Sequence, residues 1–344
     1  MDALQEIRAL ARQFTEERIR PHVERWDAAG AFDDAVLAEL GELGFLGMLI
    51  PESAGGMELD RTAYAAAVEE LAWGDASVAL AVVLHATVAA ALFAGGRTGE
   101  GGRLATGELL GTMPIAPSDD APLREGEGIL SGRVRWVANA GGAGLLLIAG
   151  PASGATGAKL VALDERATVA GAEETLGLLP LRLAVVELDD APVLAELPFD
   201  PAVDEGAAAV LRTGVAAVAV GVAQAALEHA RDYAAAREQF GRALRTFEGM
   251  QFKLADMAVR VWSARALLER AAAGRDARMS SAAKMVASEA AMAVTTQAVQ
   301  VFGGYGYMRD YPVEKLMRDA KATELMAEPN ERHRVRIARG LYEG

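Results

Sequence analysis

The stretch LADMAVRVWSARALL, residues 254–268, places Leu254, Met257, Val261, Ala264 and Leu268 at a 3-4-3-4 spacing that lines one face of a helix packed in a bundle. Downstream of the turn-rich ELPFDPAVDEG (196–206), the chain keeps this helical texture. Upstream, from about 111 to 198, it changes to short runs: GILSGRVRWVANA (128–140), GLLLIAG (144–150), AKLVALDE (158–165) and RLAVVELDD (182–190). Gly, Pro and Asp separate them, which predicts the strands of a small antiparallel sheet domain. Further upstream, helical patterns are punctuated by Pro and Gly in IRPHVERWDAAGAFDD (19–34), GFLGMLIPESAGGMELD (44–60) and FAGGRTGEGG (93–102). The expected fold is mainly α with a central β domain: an N-terminal helical domain at 1–110, a middle β domain at 111–198 and a C-terminal helical bundle domain at 199–344.

Bulk properties agree. A chain of 344 residues is long enough for two or three packed modules, and 52% hydrophobic residues with only 6% aromatics suit closely packed helices. A net charge of -14 argues against a nucleic-acid surface, which needs clustered Lys and Arg; Arg332 to Arg339 supplies a local basic patch. The longest apolar run, ASVALAVVLHATVAAALFA (76–94), approaches the length of a membrane span, but it is Ala-rich and carries His85 midway. A buried helix is expected there, and no membrane partner. The first residues, MDALQEIRAL, have acid where a signal peptide needs base, so a cytoplasmic location is expected. The absence of cysteine removes disulfides and thiolate chemistry. The four histidines, His22, His85, His229 and His333, show no HExxH spacing or close pairing, so no metal site is expected.

Four strings in order carry a family resemblance: GELGFLGMLIPESAGGMELD (41–60), YAAAVEELAWGDASVAL (64–80), REQFGRALRTFEGMQFKLADMA (237–258) and VQVFGGYGYMRDYPVEKLMRDAK (299–321). Together with the helical, strand-rich, helical order, they resemble the acyl-CoA dehydrogenase family of flavoproteins over essentially the whole chain. The resemblance implies FAD held between domains and subunits, and α,β-desaturation of an acyl-CoA thioester. It also implies a dimer or tetramer, homo- or hetero-oligomeric, and an electron-transfer flavoprotein or similar acceptor. Such chemistry needs a carboxylate to remove a weakly acidic α proton while the β hydrogen leaves as hydride to the flavin.

By the same resemblance, Arg237 stands where the family's arginine reaches the FAD pyrophosphate, with Phe240 beside the cofactor. A planar, permanently charged guanidinium suits a diphosphate. Gln300, Gly303 and Gly304 match positions near the adenosine side of FAD, usually that of the neighbouring subunit. Two ring-side motifs are altered. A T-E-P-x-x-G-S-D pattern is reduced to IAPSDD (115–120), keeping Pro117, Ser118 and Asp119, and W-I-T-N-A becomes WVANA (136–140), where Trp136 and Asn139 remain but Ala138 replaces threonine. Each residue also has a plainer reading: a solvated helix-end arginine for Arg237, a half-buried strand residue for Trp136, and a structural acid for Glu248.

The catalytic carboxylate is displaced. By the resemblance, the base follows Arg318-Asp319-Ala320-Lys321 after five intervening residues, and the residue at that position is Ala327. A minority of the family places the base one residue before an arginine that matches Arg212, and that residue is Leu211. Alanine and leucine cannot accept a proton. Glu328 is the substitute at hand, and Pro329 after it biases it toward an extended conformation; the alternative is a loop acid capping the next helix. Three functions follow: a dehydrogenase using Glu328, with Arg212 toward the substrate; a non-catalytic, FAD-contributing subunit of a heteromeric dehydrogenase; or another flavin reaction, such as monooxygenation or oxidation.

Overall fold

The longest apolar run is one helix, α5 (Ala76–Ala94), in the computed structural model, which describes residues 3–116, 122–149, 157–200 and 206–342. Before it come α1 (Ala3–Phe14), α2 (Val23–Ala29), α3 (Ala35–Glu42) and α4 (Arg61–Gly74), and after it α6 (Gly101–Thr106). Asp75 separates α4 from α5 in extended backbone and caps α5, its carboxylate accepting the Ser77 and Val78 N–H groups at 2.8 and 3.1 Å.

Eight strands follow as two four-stranded sheets. One has the order β1 (Gly111–Thr112), β4 (Leu145–Ala149), β5 (Gly157–Ala162), β8 (Ala195–Pro198); the other runs β2 (Arg124–Gly126), β3 (Ile129–Val137), β7 (Ala184–Pro192), β6 (Ala167–Ala172). Pairing is antiparallel except between β1 and β4, with Gly111 opposite Leu145. Side-chain alternation splits β4 between two cores. Leu146 and Ile148 join Leu130, Val134, Val161 and Val186 between the sheets, while Leu145 and Leu147 face the helices.

The C-terminal part holds α7 (Gly206–Ala236), α8 (Glu248–Ala273), α9 (Ala277–Phe302), α10 (Pro312–Thr323) and α11 (Asn330–Gly340). On α8 the stripe read from sequence is the packed one: Met257, Val261, Ala264 and Leu268 are buried, and Leu254 packs against them. Helix α7 is central, packing on α4 and α5 as well as on α8, α9 and α10. Two glycines permit the approach to α4: a Cβ on Gly214 would sit 2.4 Å from the Tyr64 hydroxyl, and one on Gly221 2.3 Å from the Glu69 carbonyl oxygen. The N- and C-terminal helices thus share one hydrophobic core, which crosses the strand-rich segment in sequence. By length and composition α5 and α7 are both apolar enough to cross a membrane, yet 83% and 94% of their apolar windows are buried inside the protein.

His85 shows how a polar group is held in that core. Its Nε2–H donates to Leu104 O at 3.0 Å and its Nδ1 accepts the Gly111 N–H at 3.2 Å, so the ring sits as the neutral tautomer. Burial lowers its pKa from 6.5 to about 4. Between those values the unfolded chain binds a proton that the folded one does not, so stability is lost as pH falls through the window, by about 3 kcal/mol. Urea unfolding at about pH 7.5 and about pH 4.5 is expected to show that loss in the wild type and a smaller one in His85→Gln. An equal pH dependence in both proteins would acquit His85.

Candidate functional site

Two ring-side motifs meet at the end of β3. The Ile115 N–H donates to Trp136 O at 3.1 Å, and Pro114 bridges Val137. Trp136, half-buried with φ 55°, packs on the helical core and has the Arg135 guanidinium 5.3 Å from its ring centroid. Ala138 is buried, and its carbonyl accepts the Thr112 hydroxyl at 2.5 Å. Pro117, Ser118 and Asp119 lie outside the described residues.

A second group lies on an exposed ridge between α7 and α8 and at the end of α9. Arg237 makes no ion pair among the described residues, and its guanidinium stands 5.6 Å from the Tyr305 ring centroid. Phe240 has left-handed backbone, φ 53°, and is 93% exposed. Gln300 is exposed in the last turn of α9, and Gly303 ends the helix with φ 62°. A Cβ on Gly303 or Gly304 would meet no atom within 4 Å, so backbone is presented to open space. No hydrogen bond or ring contact joins this ridge to Trp136 and Ala138 among the described residues. A guanidinium without an ion pair among the described residues, an exposed aromatic ring and accessible glycine backbone form a set that fits the diphosphate and adenosine end of FAD.

The third group surrounds the displaced carboxylate. Ala327 and Glu328 both have left-handed backbone, φ 50° and 75°. The expectation of an extended Glu328 is therefore corrected: Pro329 itself is extended, φ -58° and ψ 149°, and the turn before it is tighter than a proline bias alone produces. Two consecutive non-glycine residues in this region cost of order 1–3 kcal/mol each, so neighbouring groups must hold them there. Those groups are visible. The buried Lys284 Nζ on α9 donates to Glu324 O at 3.1 Å, Glu328 O at 2.9 Å and Asn330 Oδ1 at 2.8 Å. His333 on α11 donates from Nε2 to Ala327 O at 2.8 Å, while its Nδ1 accepts from Arg336 at 3.2 Å.

Glu328 does not cap α11. Its carboxylate pairs with Arg336, two turns along that helix, the side chains being 28% and 17% exposed. Arg212 on α7 is buried, and its Nε donates to Ser280 Oγ at 2.9 Å; the next residue, Ser281, accepts from Arg336 at 3.2 Å. Arg212 and the Arg336–Glu328 pair thus rest on neighbouring residues of α9. The segment sits among cations. Burial, then Lys284, Arg336 and Arg212, lower the His333 pKa to about 3, and burial lowers that of Lys284 to about 7 against four surrounding glutamates. The buried, permanently charged Arg212 is the group there that would stabilise negative charge developing on a bound carbonyl.

Lys284, Asn330 and Arg336 were not singled out from sequence. A signal was present: Lys284 falls on the α9 stripe of Ala287, Ala291, Val294 and Ala298, where a lone lysine among apolar residues marks a buried charge with dedicated acceptors.

Comparison with known proteins gives two matching family models, described as acyl-CoA dehydrogenase, N-terminal domain, at residues 1–98, and acyl-CoA dehydrogenase, C-terminal domain, at 202–342. The chain is 34% identical to an acyl-CoA dehydrogenase of Bacillus subtilis, over 98% of this chain and 97% of that protein. Among solved structures, butyryl-CoA dehydrogenase from Megasphaera elsdenii superposes with a TM-score of 0.88 at 31% identity, covering 99% of this chain and 98% of the other. A chain from the structure of the electron transferring flavoprotein of Acidaminococcus fermentans gives 0.89 at 30%, covering 100% and 99%.

Proposed function

The chain belongs to the acyl-CoA dehydrogenase family, and from that premise we propose how its own residues serve the reaction. It is an FAD-dependent oxidoreductase of the acyl-CoA dehydrogenase type that desaturates an acyl-CoA thioester between the α and β carbons. FAD, when bound, supplies the acceptor for the β hydride. Arg237 holds the diphosphate with Phe240 beside the cofactor; Gln300, Gly303 and Gly304 approach the adenosine side of a neighbouring subunit's FAD, and Trp136 and Ala138 border the flavin ring. Ala138 offers no hydroxyl there, so that end relies on backbone and aromatic contact.

The base is Glu328. The observation that carries this reading is the strained pair Ala327–Glu328, held by buried donors at the family's base position and bearing a carboxylate one residue on. Substrate binding must draw that carboxylate from Arg336 to the α proton. Arg212, a buried and permanently charged guanidinium, favours the negative charge appearing at the thioester oxygen as the proton departs.

The reading extends to partners. Phe252, Val259 and Trp262 are exposed along one face of α8, which supports a dimer or tetramer. The likeness to the Acidaminococcus chain supports an electron-transfer flavoprotein as the electron acceptor. The test is an anaerobic titration of the FAD-loaded protein with saturated acyl-CoAs, followed by flavin absorbance. Bleaching is expected. Bound flavin that stays oxidised would give this chain the role of a non-catalytic subunit whose partner owns the base.

A further inference from the structure

We propose that Lys284 is the positioning residue of the reaction: it acts through residues 324–330, fixing where the Glu328 carboxylate stands. The inference rests on the dehydrogenase reading and on an arrangement that reading does not require. One ammonium, fully buried in α9, gives all three of its protons to this single segment: to the carbonyls of Glu324 and Glu328 on either side of the left-handed pair, and to the amide oxygen of Asn330 just beyond it. Asn330 is itself locked, its Nδ2 donating to Ser288 Oγ at 3.0 Å. His333 takes another carbonyl of the segment, Ala327 O. Each carbonyl so bound fixes a peptide plane, and the plane after Glu328 sets the direction of its side chain.

A buried lysine is costly, and burial depresses its basicity here, so a purely structural site would be filled as well by an apolar side chain. What methionine cannot do is orient two carbonyls and an amide at once. The groups facing Lys284 are Glu289 from its own helix, Glu324, Glu328 and Glu331 from the segment and the start of α11, and His333 from α11.

The experiment compares FAD-loaded wild type with Lys284→Met and Asn330→Leu by steady-state kinetics and by hydrogen exchange of the amides of residues 325–328 and 330. Lys284→Met is expected to lower kcat by ~100-fold, the effect of a misplaced reacting group, with KM and flavin content little changed and exchange accelerated in that segment alone. Asn330→Leu, which removes one of the three acceptors, is expected to give a smaller loss of the same kind and serves where Lys284→Met does not fold. Unchanged kcat in a folded variant would overturn the proposal, as would a matched rise in KM or faster exchange spread evenly over α9 and α11. A wild type that turns over no acyl-CoA would sink the dehydrogenase reading instead. The exchange comparison then still decides whether Lys284 holds the segment.

Discussion

Glu328→Gln is expected to slow acyl-CoA desaturation by roughly 100- to 10,000-fold, the usual contribution of a positioned general base, with FAD still bound. The substitution is matched in size and keeps an oxygen for Arg336, so the ion pair becomes a hydrogen bond and the fold is preserved. Only the ability to accept the α proton is removed. Rapid-mixing reduction of the flavin by acyl-CoA isolates that step from binding and from reoxidation. A variant that bleaches its flavin as fast as the wild type would take the base away from Glu328. With alanine at 327 and leucine at 211, no carboxylate remains at either of the family's positions.

The largest expected effect on stability comes from Lys315→Met. Lys315 lies on α10, nearly buried, with its ammonium 2.7 Å from Asp75 and 2.6 Å from Asp319; both carboxylates are fully buried. Asp75 caps α5 and Asp319 accepts the Leu178 N–H at 2.6 Å, so this one cation ties α5, α10 and the segment before β7 together. Burial alone would strip the lysine of its proton, but the two acids outweigh it and its pKa ends well above the ordinary value. Removing the cation leaves two buried negative charges facing each other, at a cost of about 3–5 kcal/mol. That is a large share of a typical 5–15 kcal/mol stability and, for a chain of 344 residues, corresponds to roughly 4–7 °C in the unfolding midpoint. Adding Asp319→Asn to Lys315→Met should recover part of the loss. A single variant that melts with the wild type would show that the acids are accommodated in some other way.

Where local pattern and tertiary demand coincide, the chain was legible. The 76–94 run became α5 with the same ends, and the apolar face from 254 to 268 is the packed face of α8. The quoted runs at 128, 144, 158 and 182 became β3, β4, β5 and β7. Strand β6, ATVAGA, is exposed along most of its length and carries little apolar alternation, so nothing marked it before its pairing with β7 was seen. The site divides the same way. Residues within recognisable strings, such as Arg237 and Gly303, could be assigned roles by resemblance. The conformation of residues 324–330 could not, because it is set by Lys284 and His333 from two other helices. A proline rule that weighs one neighbour cannot anticipate donors arriving from 40 residues away.

The core shared between the two ends of the chain also governs biosynthesis. Helix α5 is apolar around its whole circumference and finds its packing surface on α7, with the entire strand-rich segment between them in sequence. A ribosome therefore releases α4 and α5 well before their partner exists. During that interval the apolar surface of α5 has to be shielded by transient collapse or by a chaperone. The β sandwich has its own small core and can form in the meantime. Folding is completed from the last helices back onto the first, and nascent chains stopped before α7 are the species most exposed to aggregation.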